Sequence, residues 1–282
     1  MTTLACCNYW KTGLQIFKIE ASGSLVTIPL AGIDTCTRMS GSGISRDGLF
    51  LYRACIEDNK VIKIRVSDGA ATRIGTSQGW SQPHSTTVDD AGNIYVTVTG
   101  SDAIRRIDPV TDEVTHVFSV KGPGEIVLDG KGNMFLTQVL YTTSPPTCQV
   151  LKISAAFKVT TLATNCYGIL NGNVGPSALA VDSTGNVYYS ADDYFIYRID
   201  TRGETKKFIR PSATTVSMGF ATRMLVRGSM LYTVLYSGPD PSPDTSPVGM
   251  VSIYTGVTFP PTLQPTRQPT MQGLVLSLDA AT

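Results

Sequence analysis

The chain has 282 residues with 23 Lys and Arg against 22 Asp and Glu, a formal net charge of +1, and only 16% of its residues are charged. That balance excludes the basic footprint of a nucleic-acid or anionic-membrane binder, and 42% hydrophobic residues at so low a charge exclude a disordered chain. No apolar run approaches the roughly 18 residues of a spanning helix, so the expected partner is protein, with no nucleic acid and no membrane span.

Thirty-five threonines, 12 tyrosines and 26 glycines favour short strands with tight turns over helices. The start, Met1 to Cys7, lacks the basic and apolar regions of a signal peptide, so for a secreted protein the numbering is expected to begin after such a signal. Strands are predicted at 4–10, 14–19 and 24–28, which read as the second to fourth strands of a unit with no first strand before them.

A repeat follows. Residues 83–96 (PHSTTVDDAGNIYV) have cousins at 123–135 (PGEIVLDGKGNMF) and 176–188 (PSALAVDSTGNVY), and a weaker one at 43–50 (GISRDGLF). Each is an apolar strand, an Asp-x-x-Gly-Asn turn and a second strand. The carboxylate caps the turn, and Gly and Asn tolerate the positive φ at which the hairpin reverses. Third strands are predicted at 61–64, 104–108, 150–153 and 196–200, and fourth strands at 71–74, 114–118, 159–162 and 206–209. Four antiparallel strands per roughly 40 to 50 residues make a propeller blade. Residues 222–232 form a degenerate unit whose turn is Arg227-Gly228-Ser229, with partner strands at 250–254 and 257–259. At the end, 273–279 reads as a first strand with nothing after it.

The strand-ending positions Asp47, Asp89, Asp129, Asp182, Arg227 and Asp279 are 40 to 53 residues apart, and six periods account for all 282 residues when the termini are joined. The prediction is an all-β, six-bladed β-propeller of four-stranded antiparallel blades, one blade completed by the C-terminal strand, with seven blades as the alternative count. Residues 1–260 form the blades, 261–272 a linker, and 273–282 a strand completing the N-terminal blade of its own ring or of a neighbour's.

Six cysteines (Cys6, Cys7, Cys36, Cys55, Cys148, Cys166) lack the C-x-x-C spacing of a zinc or thioredoxin-like site and read as disulfides. Fifteen connectivities are possible; proximity favours Cys36 with Cys55 and Cys148 with Cys166. The linker holds three copies of Pro-Thr-x-Gln, and its prolines favour an extended course. Such Pro/Thr tracts resemble O-glycosylated stalks, which makes Thr262, Thr266 and Thr270 candidate glycosylation positions. No Asn-x-Ser/Thr sequon is present. The strand around Leu274, Val275, Leu276 and Leu278, carried on this tether, is a candidate for exchange into a neighbouring molecule.

The Asp-x-x-Gly-Asn-hydrophobic-Tyr/Phe pattern, followed by hydrophobic-x-Arg/Lys-Ile-Asp, resembles NHL-repeat propellers and their virginiamycin B lyase-like and gluconolactonase (senescence marker protein 30) relatives. In enzymes of that kind the reacting groups line the start of the inner strands, here Ser42, His84, Gly124 beside Glu125, Ser177 and Thr222. A lyase-like site needs a second channel histidine and a carboxylate, and His116 falls on a predicted outer strand. A lactonase-like site needs several oxygens around a divalent cation such as calcium. Here Glu125 is the carboxylate near the mouth, while Asp47, Asp89, Asp129 and Asp182 repeat in the turns as caps. We therefore assign no catalytic residue, metal or cofactor, with His84 and Glu125 as the candidates on which an enzyme reading rests. The expected function is an extracellular or cell-surface structural or interaction module, a repeating subunit of a surface or fibrous assembly. The alternative is a lactonase-like or lyase-like enzyme with a divalent metal in the channel.

Overall fold

Strand periodicity places successive side chains on opposite faces, so a strand inside a stack of sheets can bury both. The computed structural model describes residues 3–6, 16–19, 25–28, 36, 39–140, 142, 146–164, 169–170, 173–174, 178–191, 195–210, 220–227, 230–237, 248–255 and 276–277. The chain divides into two compact units, 1–147 with 151–160, and 148–150 with 161–282.

The first unit begins with a three-stranded sheet, β1 (Thr3–Cys6), β2 (Ile16–Ile19) and β3 (Leu25–Ile28), in order β1-β2-β3. Next come three antiparallel four-stranded blades. They are β4 (Met39–Ile44), β5 (Phe50–Cys55), β6 (Lys60–Arg65) and β7 (Ala71–Ile74); β8 (Pro83–Val88), β9 (Ile94–Val98), β10 (Ala103–Ile107) and β11 (Val114–Ser119); and β12 (Pro123–Leu128), β13 (Met134–Leu140), β14 (Thr147–Ile153) and β15 (Val159–Thr164). Within each blade, sequence order is spatial order. The inner strands β4, β8 and β12 lie side by side.

Alternation along β5 shows how the blades stack. Leu51 and Cys55 join Ile62, Ile64 and Ile28 in one core, whereas Tyr52 turns to the other face with Val61, Ile94, Val96 and Val98. Ile104 on β10 points to a third core with Ile126, Leu136, Leu151 and Ile153. Full burial of each such aliphatic side chain contributes about 1.5–3 kcal/mol.

In the second unit, β16 (Ile169–Leu170) and β17 (Asn173–Val174) form a short hairpin. The blade β18 (Leu179–Val181), β19 (Val187–Ser190), β20 (Ile196–Ile199) and β21 (Thr205–Ile209) follows. The last sheet contains β22 (Phe220–Arg227), β23 (Met230–Ser237), β24 (Val248–Thr255) and β25 (Leu276–Ser277). A core of Ala178, Ala180, Tyr188, Ile196 and Leu231 joins the two sheets, with Met224 and Val226 packed against it.

The prediction of six four-stranded blades is corrected here. Among the described residues four blades are complete; the β22–β25 sheet has a fourth strand of only two residues, and the N-terminal sheet has three strands. The C-terminal strand does not complete the N-terminal sheet: Ser277 and Leu276 pair with Met250 and Val251 on β24. The turn spacing behind the prediction counts hairpins, and a hairpin does not specify which open sheet edge a later strand will find. Residues 257–259, expected on that edge of β24, lie outside the described residues, as does Asp279.

The Cys36–Cys55 disulfide is present, closing a sequence separation of 19 residues. Cys148 is also disulfide-bonded, whereas Cys7 and Cys166 lie outside the described residues and of Cys6 only its place in β1 is described.

Candidate inner-strand site

The hairpin turns use their acidic side chains locally. Asp89 accepts the backbone N–H groups of Ala91 and Asn93 on Oδ1 and the Asn93 side-chain amide on Oδ2. Asp129 repeats the pattern with Lys131 and Asn133. Asp182, 3% exposed, takes the N–H groups of Thr184, Gly185 and Asn186, the Asn186 amide and the Tyr188 hydroxyl. Burial, then the neighbouring Asp182 charge, pushes the Tyr188 phenol far above its ordinary value. The first blade departs from the predicted pattern. Ser45, not Asp47, holds the backbone position of Asp89, since its N–H bonds Phe50 O as that of Asp89 bonds Asn93 O. Asp47 supports the turn from two residues on, accepting the Ser45 hydroxyl and the Leu49 N–H. Those bonds, the Ser45 hydroxyl first, hold its carboxyl below the usual aspartate range.

Four residues before each capping residue stand Gly41, Ser85, Glu125 and, in the second unit, Ala178. In the first unit these positions lie within or at the end of a register shift in the inner strand, between Met39 and Ser42, Pro83 and Ser85, and Pro123 and Ile126. A bulge leaves backbone groups without ladder partners and re-aims side chains. Hydroxyls from the second strand fill that need: Thr97 Oγ1 accepts the Ser85 N–H at 3.0 Å, Thr137 Oγ1 the Glu125 N–H at 2.8 Å, and Ser190 Oγ the Ala178 N–H at 3.2 Å. The strand pattern of the sequence does not single out this hydroxyl. It leaves a trace there, because Thr97, Thr137 and Ser190 each follow the turn aspartate by eight residues.

The same groups link one blade to the next. Thr97 Oγ1 donates to Gly124 O at 2.7 Å, and Thr99 Oγ1 to Pro123 O at 3.0 Å. Thr86 Oγ1 accepts the Gly43 N–H and donates to Tyr52 O, at 2.8 and 2.7 Å. Ser85 Oγ donates to Glu125 Oε2 at 2.9 Å, and both residues are buried, at 1% and 8% exposure. Gly41 is required beside them: a Cβ there would collide with Ser85 Oγ and Glu125 Oε2.

The structure thus brings Glu125 together with Ser85 and Gly41. His84 is half-buried on the β8 bulge. His116 is exposed on β11, with Nε2 3.2 Å from Ser119 Oγ. Three strand spacings, about 14 Å, separate β8 from β11, so the two histidines do not share a reaction centre. Ser42 Oγ is buried with no hydrogen-bond partner. Ser177 lies outside the described residues, and for Thr222 only its backbone in β22 is described. Thr262, Thr266, Thr270, Leu274, Val275 and Leu278 also lie outside, and Leu276 is in β25.

A hard divalent cation takes six to eight oxygens. Glu125 is the carboxylate on β4, β8 and β12, its carboxylate already engaged by Ser85, and the turn aspartates are directed at backbone N–H groups. This donor set does not fit such an ion. Among the described residues, Cys36, Cys55 and Asp58 place metal-type donors within 4.8 Å of one another, but the two sulfurs are joined in the disulfide.

No protein-family model and no curated protein matches the chain. Solved structures do. A chain of the nidogen/laminin complex superposes with a TM-score of 0.63 at 13% identity, over 84% of this chain and 89% of that one. Virginiamycin B lyase from Staphylococcus aureus, with quinupristin, gives 0.54 at 14% identity, over 91% and 96%. Regucalcin, a calcium-binding protein from Agrobacterium tumefaciens, gives 0.53 at 11%, over 77% and 70%. At these identities the likeness is one of fold.

Proposed function

We propose that this NHL-like β-propeller is an extracellular structural or interaction module. One observation carries the reading: Ser85 and Thr86 on β8, Thr97 on β9 and Glu125 on β12 are spent on bonds between neighbouring blades. Ser85, at 1% exposure, gives its hydroxyl proton to Glu125, and Thr86 and Thr97 bond across to adjacent blades. A nucleophile or general base must reach the substrate proton that it handles, and this pair is sealed in a seam. The seam's product is rigidity, which suits a scaffold that presents loops and edges to partners.

Two further features support the reading. The Cys36–Cys55 disulfide suits an oxidising compartment. A chain of the nidogen/laminin complex shares the fold, a precedent for a propeller engaged with another protein. The test has two arms. Titration calorimetry with calcium and magnesium should give no stoichiometric heat, and thiol trapping in the native source should leave Cys36 and Cys55 unalkylated. Stoichiometric cation binding lost in Glu125→Gln would overturn the module in favour of a metal-dependent site, and alkylated Cys36 and Cys55 would overturn the extracellular placement.

A further inference from the structure

Three donor atoms converge at the turn between β5 and β6, one each from Cys36, Cys55 and Asp58, all within 4.8 Å of one another. Cys55 ends β5 and Lys60 opens β6, and Asn59, at φ 49°, helps to reverse the chain between them. The turn makes a local pair of Cys55-x-x-Asp58, the spacing at which structural metal sites take two ligands from one short loop. Bonding between two sulfurs makes no use of a third, anionic donor. A metal ion does.

Two thiolates and a carboxylate select zinc over calcium or magnesium, because soft sulfur ligands favour it, and a water can complete the tetrahedron. Each sulfur would stand about 2.3 Å from the ion. The Cα atoms of Cys36 and Cys55 are 5.4 Å apart, so both sulfurs reach one ion by side-chain rotation. The surrounding charge agrees. Arg53 lies two residues before Cys55 on the same face of β5, and Lys60 stands opposite Cys55 in the β5–β6 ladder; both are buried. Cations there favour the thiolate forms, and they offset the net negative charge of zinc held by two thiolates and a carboxylate.

We infer that Cys36, Cys55 and Asp58 form a redox-gated zinc site, which the disulfide closes and reduction opens. A dithiol reductant supplies the two electrons. Its thiolate attacks the half-buried Cys36 sulfur, since Cys55 is fully buried, and the S–S bond breaks with its electron pair leaving on Cys55. The second thiol of the reductant then displaces Cys36 and closes a disulfide within the reductant. Zinc binding releases the protons of the two cysteine thiols. Cys36 packs against the core that contains Cys55, Ile62 and Ile64, so the ion ties the same segment to β5 that the disulfide ties, and the crosslink survives reduction.

Zinc titration of the full chain tests this, in the oxidised form and after reduction by a dithiol that is removed under nitrogen. The reduced chain should take up a stoichiometric ion that the oxidised chain does not, measured by elemental analysis after gel filtration. Cobalt in its place should give a thiolate-to-metal charge-transfer band that Cys55→Ser abolishes. Asp58→Ala leaves both cysteines in place and should weaken zinc binding by at least about tenfold, since even outer-shell partners of a metal cost that much. Zinc should also restore most of the thermal stability that reduction removes, and reoxidation by a small disulfide should expel it. Equal zinc uptake by the oxidised and reduced chains overturns the inference. So does uptake indifferent to Asp58→Ala, which would assign the ion to other cysteines or to an unfolded chain, and so does zinc retained after the Cys36–Cys55 bond has re-formed.

Discussion

At Thr97 one hydroxyl oxygen accepts the Ser85 N–H and donates to the Gly124 carbonyl, satisfying a bulged strand and its neighbouring blade together. Thr97→Val keeps shape and strand preference but leaves the buried Ser85 N–H without that acceptor, so we expect a loss of about 1–3 kcal/mol in urea unfolding. Thr97→Ser should recover most of it; equal loss in both variants would show that packing, not the hydroxyl, matters there. Gly41 is constrained from the other direction. Gly41→Ala drives a methyl into Ser85 and Glu125 and should cost about 1–3 kcal/mol as an overpacked site. Tyr188 adds a pH dependence. Its folded pKa is raised above the unfolded value near 10 by burial and by Asp182. Its contribution is therefore complete below pH 10 and lost as pH rises past 10 toward the folded pKa, because the unfolded chain releases that proton first. Tyr188→Phe should flatten the alkaline fall in stability, followed by circular dichroism; an unchanged slope would remove Tyr188 as its source.

The Asp-x-x-Gly-Asn hairpin is a closed local unit, with bonds reaching only two to four residues along the chain, and this is why it is legible in the sequence. Its energetic weight varies with burial. Asp182 is 3% exposed and also holds the Tyr188 hydroxyl, whereas Asp129 is only half-buried. Asp182→Ala should therefore destabilise more than Asp129→Ala, which we place at about 1 kcal/mol; the reverse order in thermal melts would contradict the geometry. The predicted third and fourth strands and the Cys36–Cys55 pair were legible for the same reason, since their partners are near in sequence. The pairing of strand 276–277 was not. Its partner is 25 or 27 residues away, and the hydrophobic pattern that marks it as a strand does not distinguish one open edge from another. The inner-strand bulges were equally hidden, because a bulge changes the register without changing the residue types that alternate through it.

Across the four complete blades, burial is highest in the second strands and lowest in the outer, fourth strands. The second strands β5, β9 and β19 are buried along almost every residue, whereas β7, β15 and β21 have no buried residue. Every complete blade shares one strand order, so the gradient repeats from blade to blade. The Thr86, Thr97 and Ser85 bonds add to the inner end, joining β8 to the strands of both adjacent blades. Local opening follows few buried contacts and exposed backbone hydrogen bonds. Amide hydrogen exchange should therefore proceed outward-in: β7, β15 and β21 should exchange through local opening, while β5, β9 and β19 approach the free energy of unfolding the unit to which they belong. Peptide-resolved exchange under native conditions decides it. Equal protection in the outer and second strands of a blade would mean that blades open as whole sheets, and the inter-blade hydroxyl seam would then be the unit of stability in place of the depth of each strand.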